Sequence, residues 1–413
     1  MSVFLTGAQL KRRELAFVGI PYLTFFVWYY VFSYYSLSLL PEEMIKISHT
    51  YRASFNLLAS LTLVLSSSFI RRIDKASAIY AWSIVSSLGT IFMILAPTDA
   101  LKLATYFFLG VFFGLGSLAF ATLFWDLTAP EERGRVAGLI GSIVLPLCTL
   151  FIALANSLDV YGIAALCIIL NLGTLVIKPL NPNEKNMPKG KGDMRESNPE
   201  NRTIFLYLVP WAVFSFINAT LTSSFSLHVV QHFSPSTQMF LTALQVAGGG
   251  LGAIIGGVLA DFSGRRLSLA LGLTLYGVTS AISGLAGSYE LLYPVFIGNG
   301  VTWGILLTVY AFVVPGDLAN VKTCARRYSV GFAIFYMASG VGALLSPELA
   351  RIPLMPAAII SCSLIFLSNI PLILAPEILS SDFREEVRLK LYVSLVKRIV
   401  RSRKDIIGRS RER

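Results

Sequence analysis

Residues 256–272 read GGVLADFSGRRLSLALG. The stretch holds an aspartate, four glycines and two arginines where one apolar run ends and another begins. Gly257 and Gly264 let backbones approach and the chain turn sharply. Asp261 suits a helix N-terminus, and Arg265 and Arg266 suit a carboxylate partner beside a membrane. A plainer reading makes the arginines topology determinants and Asp261 a simple cap, and the two readings are compatible. The flanking runs, 238–260 and 267–287, are each long enough to cross a hydrocarbon core of about 30 Å, which takes about 20 helical residues.

Working outward, the same kind of run recurs. Expected spans are 15–40, 51–70, 77–96, 103–125, 134–156 and 160–178, then 203–229, 238–260, 267–287, 291–315, 328–347 and 354–375. Of 413 residues, 55% are hydrophobic and 14% charged, against about 25% charged in soluble domains, so the solvent is lipid. Lipid offers the backbone no hydrogen-bond partner, and no alternating barrel strands are evident, so the spans are helices. The first is too long, and lacks a small-residue cleavage site, for a removable signal peptide.

Charge placement orients the chain. With a cytoplasmic N-terminus, 30 of the 34 lysines and arginines fall in inside segments, leaving Lys46, Arg52, Lys102 and Arg351 outside. The net charge of +11 then reads as topology and contact with anionic lipid rather than as a nucleic-acid footprint. None of the four cysteines falls outside, so no disulfide framework is implied.

Residues 179–202 combine Pro, Gly, Asn and mixed charge, which marks a linker between a first half, 1–178, and a second, 203–375. A repeat supports the division: Asp126-Leu127 precedes Arg135 by the same nine residues as Asp317-Leu318 precedes Arg326. Beyond lies a basic tail, 376–413. Within it Leu389, Tyr392, Val393, Val396, Ile399 and Val400 oppose Lys390, Lys397, Arg398 and Arg401, a pattern for a helix lying on the inner leaflet.

The decapeptide Gly257-x-Leu259-Ala260-Asp261-x-x-Gly264-Arg265-Arg266 resembles the loop signature of the major facilitator superfamily, found between helices two and three and, more weakly, between eight and nine. Here the later copy is the stronger one. The first-half loop, SSSFIRRIDKAS from Ser66, puts Arg71 where the aspartate belongs and Asp74 where the glycine belongs. DLTAPEERGRVAG from Asp126 is similar to the family's loop between helices four and five. The resemblance implies an all-α membrane fold of twelve helices in two pseudo-symmetric six-helix bundles, working by alternating access. It also implies that Asp261 lies against the inner end of helix five, that Arg265 or Arg266 lies near Asp317, and that Arg72 or Lys75 pairs with Asp126.

Every charged residue can be placed in a loop, a tail or the last turn of a span. A mid-bilayer charge costs at least about 2.5 kcal/mol, and proton- or ion-coupled carriers keep one where coupling needs it. Relatives driven by protons often carry an arginine before a G-x-G pair in helix four. Here Gly114-x-Gly116 is present and position 110 is Gly. Helix five, GLIGSIVLPLCTLF, lacks the Gly-rich Pro motif of antiporters in the family.

Candidates for the solute cavity are therefore neutral or aromatic: Trp28, Tyr29, Trp211, Asn218, Gln245, Asn299 and Trp303. Asn and Gln also join neighbouring helices, and aromatics also face lipid, so packing competes with the cavity role. Glycines in VAGGGLGAIIGG from Val246 allow close packing or a bend of helix eight. His228 and His232 share a helical face but lack a third ligand, so no metal site and no cofactor is expected. No phosphate loop, nucleophile elbow or buried acid pair argues for an enzyme.

The expected function is secondary transport of a small, neutral organic solute by a plasma-membrane protein, with both termini cytoplasmic and the monomer as the working unit. Export of hydrophobic compounds, or a non-transporting sensor on the same fold, are the alternatives.

Overall fold

The computed structural model describes residues 12–32, 47–155, 157–175, 200–232, 235–285, 289–349 and 351–380, with six single positions beyond. Among the described residues the regular structure is all helical, in twelve long segments and a short 3-10 turn, Ile70–Arg72. The first half comprises α1 (Arg12–Val27, continued by a π-helical turn, Trp28–Phe32), α2 (Ser48–Ser66), α3 (Lys75–Leu95), α4 (Asp99–Leu127), α5 (Arg133–Ala155) and α6 (Val160–Leu175). The second comprises α7 (Asn201–His232), α8 (Pro235–Ser263), α9 (Arg265–Ser283), α10 (Tyr289–Leu307, with a π turn Thr308–Val313 and a last turn Val314–Asp317), α11 (Cys324–Leu349) and α12 (Leu354–Leu374).

Nine of these segments are long and apolar enough to cross a bilayer. The other three are α2, with Arg52 and Asn56 on it, α9, which opens on two arginines, and α6, with 16 described residues. Prolines 21, 146, 210, 294, 347 and 371 lie inside helices, a burden that neighbouring helices in a membrane bundle can bear.

Local chemistry sets several helix ends. Asp74 accepts the Ser77 N–H at 2.9 Å at the start of α3, and Ser77 Oγ donates to the same carboxylate at 2.7 Å. Those bonds hold the Asp74 carboxyl below its ordinary range, the Ser77 hydroxyl being the largest cause. Between α8 and α9 the break is a single residue, Gly264, at φ 108° and ψ 159°, a backbone region essentially reserved for glycine.

Two seams join the halves. Along α5 and α8, a Cβ on Gly138 would lie 2.5 Å from the Ala253 carbonyl oxygen, and one on Gly257 would strike the Gly134 backbone. Along α2 and α11, Ser60 Oγ donates to the Ala333 carbonyl at 3.0 Å. The glycine-rich run of α8 thus serves close packing, against α5 on one side and α10 on the other, where the Gly252 position abuts Val301. Most of the linker, 179–199, lies outside the described residues. So does most of the tail, although Leu389, Tyr392, Val393, Val396 and Val400 are helical and exposed.

Candidate functional site

At the end of the bundle that carries the basic loops, charged side chains are buried together. Asp261, near the end of α8, is 0% exposed. Its Oδ1 accepts the Gly134 N–H at 3.0 Å, and its Oδ2 accepts the Arg135 N–H at 2.8 Å and Arg135 Nε at 3.1 Å. It therefore caps the N-terminus of α5 across the seam between the halves, where the helix dipole favours an anion.

Arg265, also fully buried, donates from Nη1 to Asp261 at 2.8 Å and to the Ala260 carbonyl at 2.6 Å, from Nε to Asp317 at 2.7 Å, and from Nη2 to the Pro130 carbonyl. Arg133, 1% exposed, pairs with the other oxygen of Asp317. Trp125 Nε1 donates to the Gly316 carbonyl at 2.9 Å beside them.

Glu377, three residues beyond α12, closes the cluster. Its Oε1 accepts the Arg265 N–H at 2.8 Å and its Oε2 accepts the Arg266 N–H at 3.1 Å, so it caps α9. A Cβ on Gly264 would strike this carboxylate. The Tyr207 hydroxyl fastens the same segment by donating to the Pro376 carbonyl at 2.9 Å. Three guanidiniums thus share two buried carboxylates, with Glu377 bound to backbone N–H groups beside them. Desolvation of buried charge is offset only where partners are this complete.

The partners divide as follows. Arg265 meets Asp317, whereas Arg266 reaches the Ala375 carbonyl at 3.1 Å, at the end of α12. Lys75 pairs with Asp126, whereas Arg72 is exposed. The sequence reading missed Arg133, Arg135 and Glu377. The first two stand in the quoted loop from Asp126 but read there as topology determinants, and Glu377 carried no pattern at all.

Between the halves lies a small cavity lined by aromatic rings. α1 supplies Tyr22, Phe25, Phe26, Tyr29 and Tyr30, α4 supplies Phe113, Ser117 and Phe120, and α11 supplies Phe332, Phe335 and Tyr336. The spacings i, i+3, i+4 and i+7 put each set on one helical face. The π turn from Trp28 carries Tyr29 and Tyr30, which both reach the wall.

Five polar side chains stand on this wall, Tyr22, Tyr29, Tyr30, Ser117 and Tyr336, and two of them are tied to the protein. The Tyr29 hydroxyl donates to Asn56 Oδ1 at 2.9 Å, and Ser117 Oγ donates to the Phe113 carbonyl at 2.8 Å. Rings from the two halves touch: Tyr29 and Phe113 each meet Tyr336 edge-on, with centroids 5.8 and 5.4 Å apart.

Of the seven neutral or aromatic cavity candidates, Tyr29 stands on this wall and the other six lie elsewhere. Trp28 is packed inside the first half against Trp82, its indole N–H 3.4 Å from Thr90 Oγ1. Trp211 donates to the Gly331 carbonyl at 2.7 Å and stacks behind Phe335. Trp303 lies against the Gly249 backbone. Asn218 accepts the Tyr276 hydroxyl at 3.3 Å, while Gln245 and Asn299 line a separate pocket inside the second half. The amides sit on the right helices but turn toward neighbours within their own half, and bulky rings take the space between the halves.

The sequence profile of the Major Facilitator Superfamily matches residues 203–406, about half of the chain. The chain belongs to the major facilitator superfamily. Like other members of that superfamily it is a multi-pass integral membrane protein. A lincomycin resistance protein from Streptomyces lincolnensis is 32% identical over 138 residues, which is 32% of this chain and 26% of that relative. Its fold resembles the human organic anion transporter MFSD10 (TETRAN), with TM-score 0.68 at 14% identity, covering 87% of this chain and 99% of that one. It also resembles a bacterial homologue of the iron transporter ferroportin in an outward-facing state, with TM-score 0.67 at 16% identity, covering 87% and 98%. These two likenesses are of fold alone.

Proposed function

We propose that this superfamily member is a secondary transporter that exports hydrophobic, drug-like solutes by alternating access between its two halves. The observation that carries this reading is the cavity between the halves, whose wall bears ten aromatic rings and no charged side chain. Such a wall rewards buried apolar area and ring stacking, and offers no counter-charge to an ionic solute. The partial likeness to a lincomycin resistance protein points the same way.

In this reading the basic end faces the cytoplasm of a plasma-membrane protein with both termini inside. The halves are 1–178 and 203–375, joined by a linker at 179–202. The tail from 376 rests on anionic lipid, and the monomer is the working unit. The ionic cluster around Asp261 and Asp317 is the inner gate, closed in the present conformation. Opening it requires Asp261 to leave the N-terminus of α5 and Asp317 to part from Arg133, so that solute reaches the rings from the inner side. The protein performs transport rather than catalysis.

The test is accumulation of lincomycin and of a hydrophobic fluorescent dye in cells expressing the chain. Lower steady-state accumulation than in cells expressing the Asp261→Asn variant supports the reading. Equal accumulation of both compounds, with the wild-type protein present in the membrane, contradicts it.

A further inference from the structure

At the α5–α8 seam a carboxylate crosses between the halves: Asp261 accepts the Arg135 N–H and pairs with its guanidinium. The repeat puts Arg71 and Arg326 in the corresponding positions at the α2–α11 seam, so a cation stands in the place of the carboxylate. That cation also crosses. Arg71, in the turn Ile70–Arg72 that follows α2, brings Nη1 to 3.5 Å from the Val321 carbonyl oxygen, in the loop before α11.

The two segments that meet here carry four cations, Arg71 and Arg72 from the first half and Lys322 and Arg326 from the second. All four are exposed, and among the described residues none of them forms an ion pair. The acids closest to them in the repeat are engaged elsewhere. Asp74 accepts the Ser77 N–H and hydroxyl, Asp126 is held by Lys75, and Asp317 is held by Arg133 and Arg265. Like charges brought together repel, so this seam gains from an anion that joins its two sides.

The neighbouring side chains say what kind of anion fits. Phe69 and Ile73 flank the two arginines, Val321 precedes Lys322, and all three apolar side chains are exposed. Exposed apolar groups interleaved with cations at the end of a membrane bundle suit the level where acyl chains give way to headgroup phosphates. A guanidinium matches phosphate with paired donors, which suits Arg71 and Arg72. A free anion would answer the charges but leave Phe69, Ile73 and Val321 in water.

We propose that this corner is a binding site for an anionic phospholipid, whose phosphate stands where Asp261 stands in the second half and ties the α2–α3 turn to the loop before α11. The lipid thereby fastens the seam that lacks a carboxylate of its own. The site stands whatever solute the central cavity carries.

The test is thermal unfolding of the full chain in lipid nanodiscs of phosphatidylcholine, with and without phosphatidylglycerol as a minority component. Phosphatidylglycerol is expected to raise the unfolding temperature of the wild type by about 2–4 °C, because a ligand that binds the folded protein stabilises it by mass action. Arg71→Asp, which restores the carboxylate, is expected to lose that rise, and Arg71→Gln, the milder change, to reduce it. Lys390→Ser/Lys397→Ser takes the same two units of charge from the tail and is expected to keep most of it. Equal stability of the wild type in the two lipids overturns the proposal, as does a full rise in a folded Arg71 variant. So does an equal loss in the tail variant, which would mean bulk surface charge. Inorganic phosphate that reproduces the rise in phosphatidylcholine alone overturns it too, since the site would then take a free anion.

Discussion

Asp261 and Lys75 show how burial decides the worth of an ion pair. Asp261 and its partners Arg135 and Arg265 are at most 4% exposed, whereas Lys75 and Asp126 are 23% and 32% exposed. Removing one member of a buried, hydrogen-bonded set strands the others, at about 3–5 kcal/mol, while a half-exposed pair is worth about 1 kcal/mol or less. Asp261→Asn is therefore expected to lower the unfolding free energy in detergent by about 3 kcal/mol, and Lys75→Gln by less than about 1 kcal/mol. Comparable losses for the two would remove the argument from burial.

The residue scale also explains why one half of the repeat is used and the other is not. Asp261 meets Arg135 at the start of α5, but the matching position in the first-half loop is Arg71. Arg326, the repeat partner of Arg135, thus finds no carboxylate there and is exposed. The degeneracy was legible in SSSFIRRIDKAS, but its consequence needed the structure. Spacing shows that Asp126 and Asp317 correspond, not that Arg133 crosses the seam to Asp317.

At the scale of elements, the junction of α8 and α9 couples backbone to tail. Gly264 holds a conformation that costs another residue about 1–3 kcal/mol, and its missing Cβ leaves room for Glu377. Glu377 in turn caps α9, a contribution of about 1 kcal/mol. Gly264→Ala and Glu377→Ala are each expected to destabilise, and together by less than their sum, because removing the carboxylate relieves the clash. A double-mutant cycle by thermal unfolding measures this, and strict additivity would mean that the clash contributes nothing.

Helix identity was the most legible layer, since long apolar runs bounded by charge leave little choice in lipid. The π turns at Trp28–Phe32 and Thr308–Val313 were not legible, because the extra residue in the turn answers to neighbouring helices rather than to local pattern. One of them carries Tyr29 and Tyr30, which both reach the cavity wall. The spacing Tyr22, Phe25, Phe26, Tyr29 was in the sequence, but an aromatic face in a membrane helix equally suits lipid.

For the molecule as a whole, the cavity was the least legible feature, because it is made by three helices from two halves and no segment encodes which face meets which. In the proposed cycle the two halves rock about the α5–α8 and α2–α11 seams, with the ionic cluster closing one end. Cys324, buried at the start of α11 and seven residues from Asp317, reports on that end. Asp317→Asn is expected to raise its labelling by a membrane-impermeant maleimide applied from the basic side several-fold over wild type. Unchanged labelling in a folded variant would mean that Asp317 does not hold this end shut.

The most direct measurement is flux of a hydrophobic fluorescent dye into proteoliposomes, comparing wild type with Tyr29→Ala/Phe332→Ala, one ring from each half. Saturable flux that falls about tenfold or more in the double variant, the scale of two lost ring contacts, is the predicted result. Flux that does not saturate, or that the double variant carries at the wild-type rate, would contradict an aromatic cavity as the path of transport.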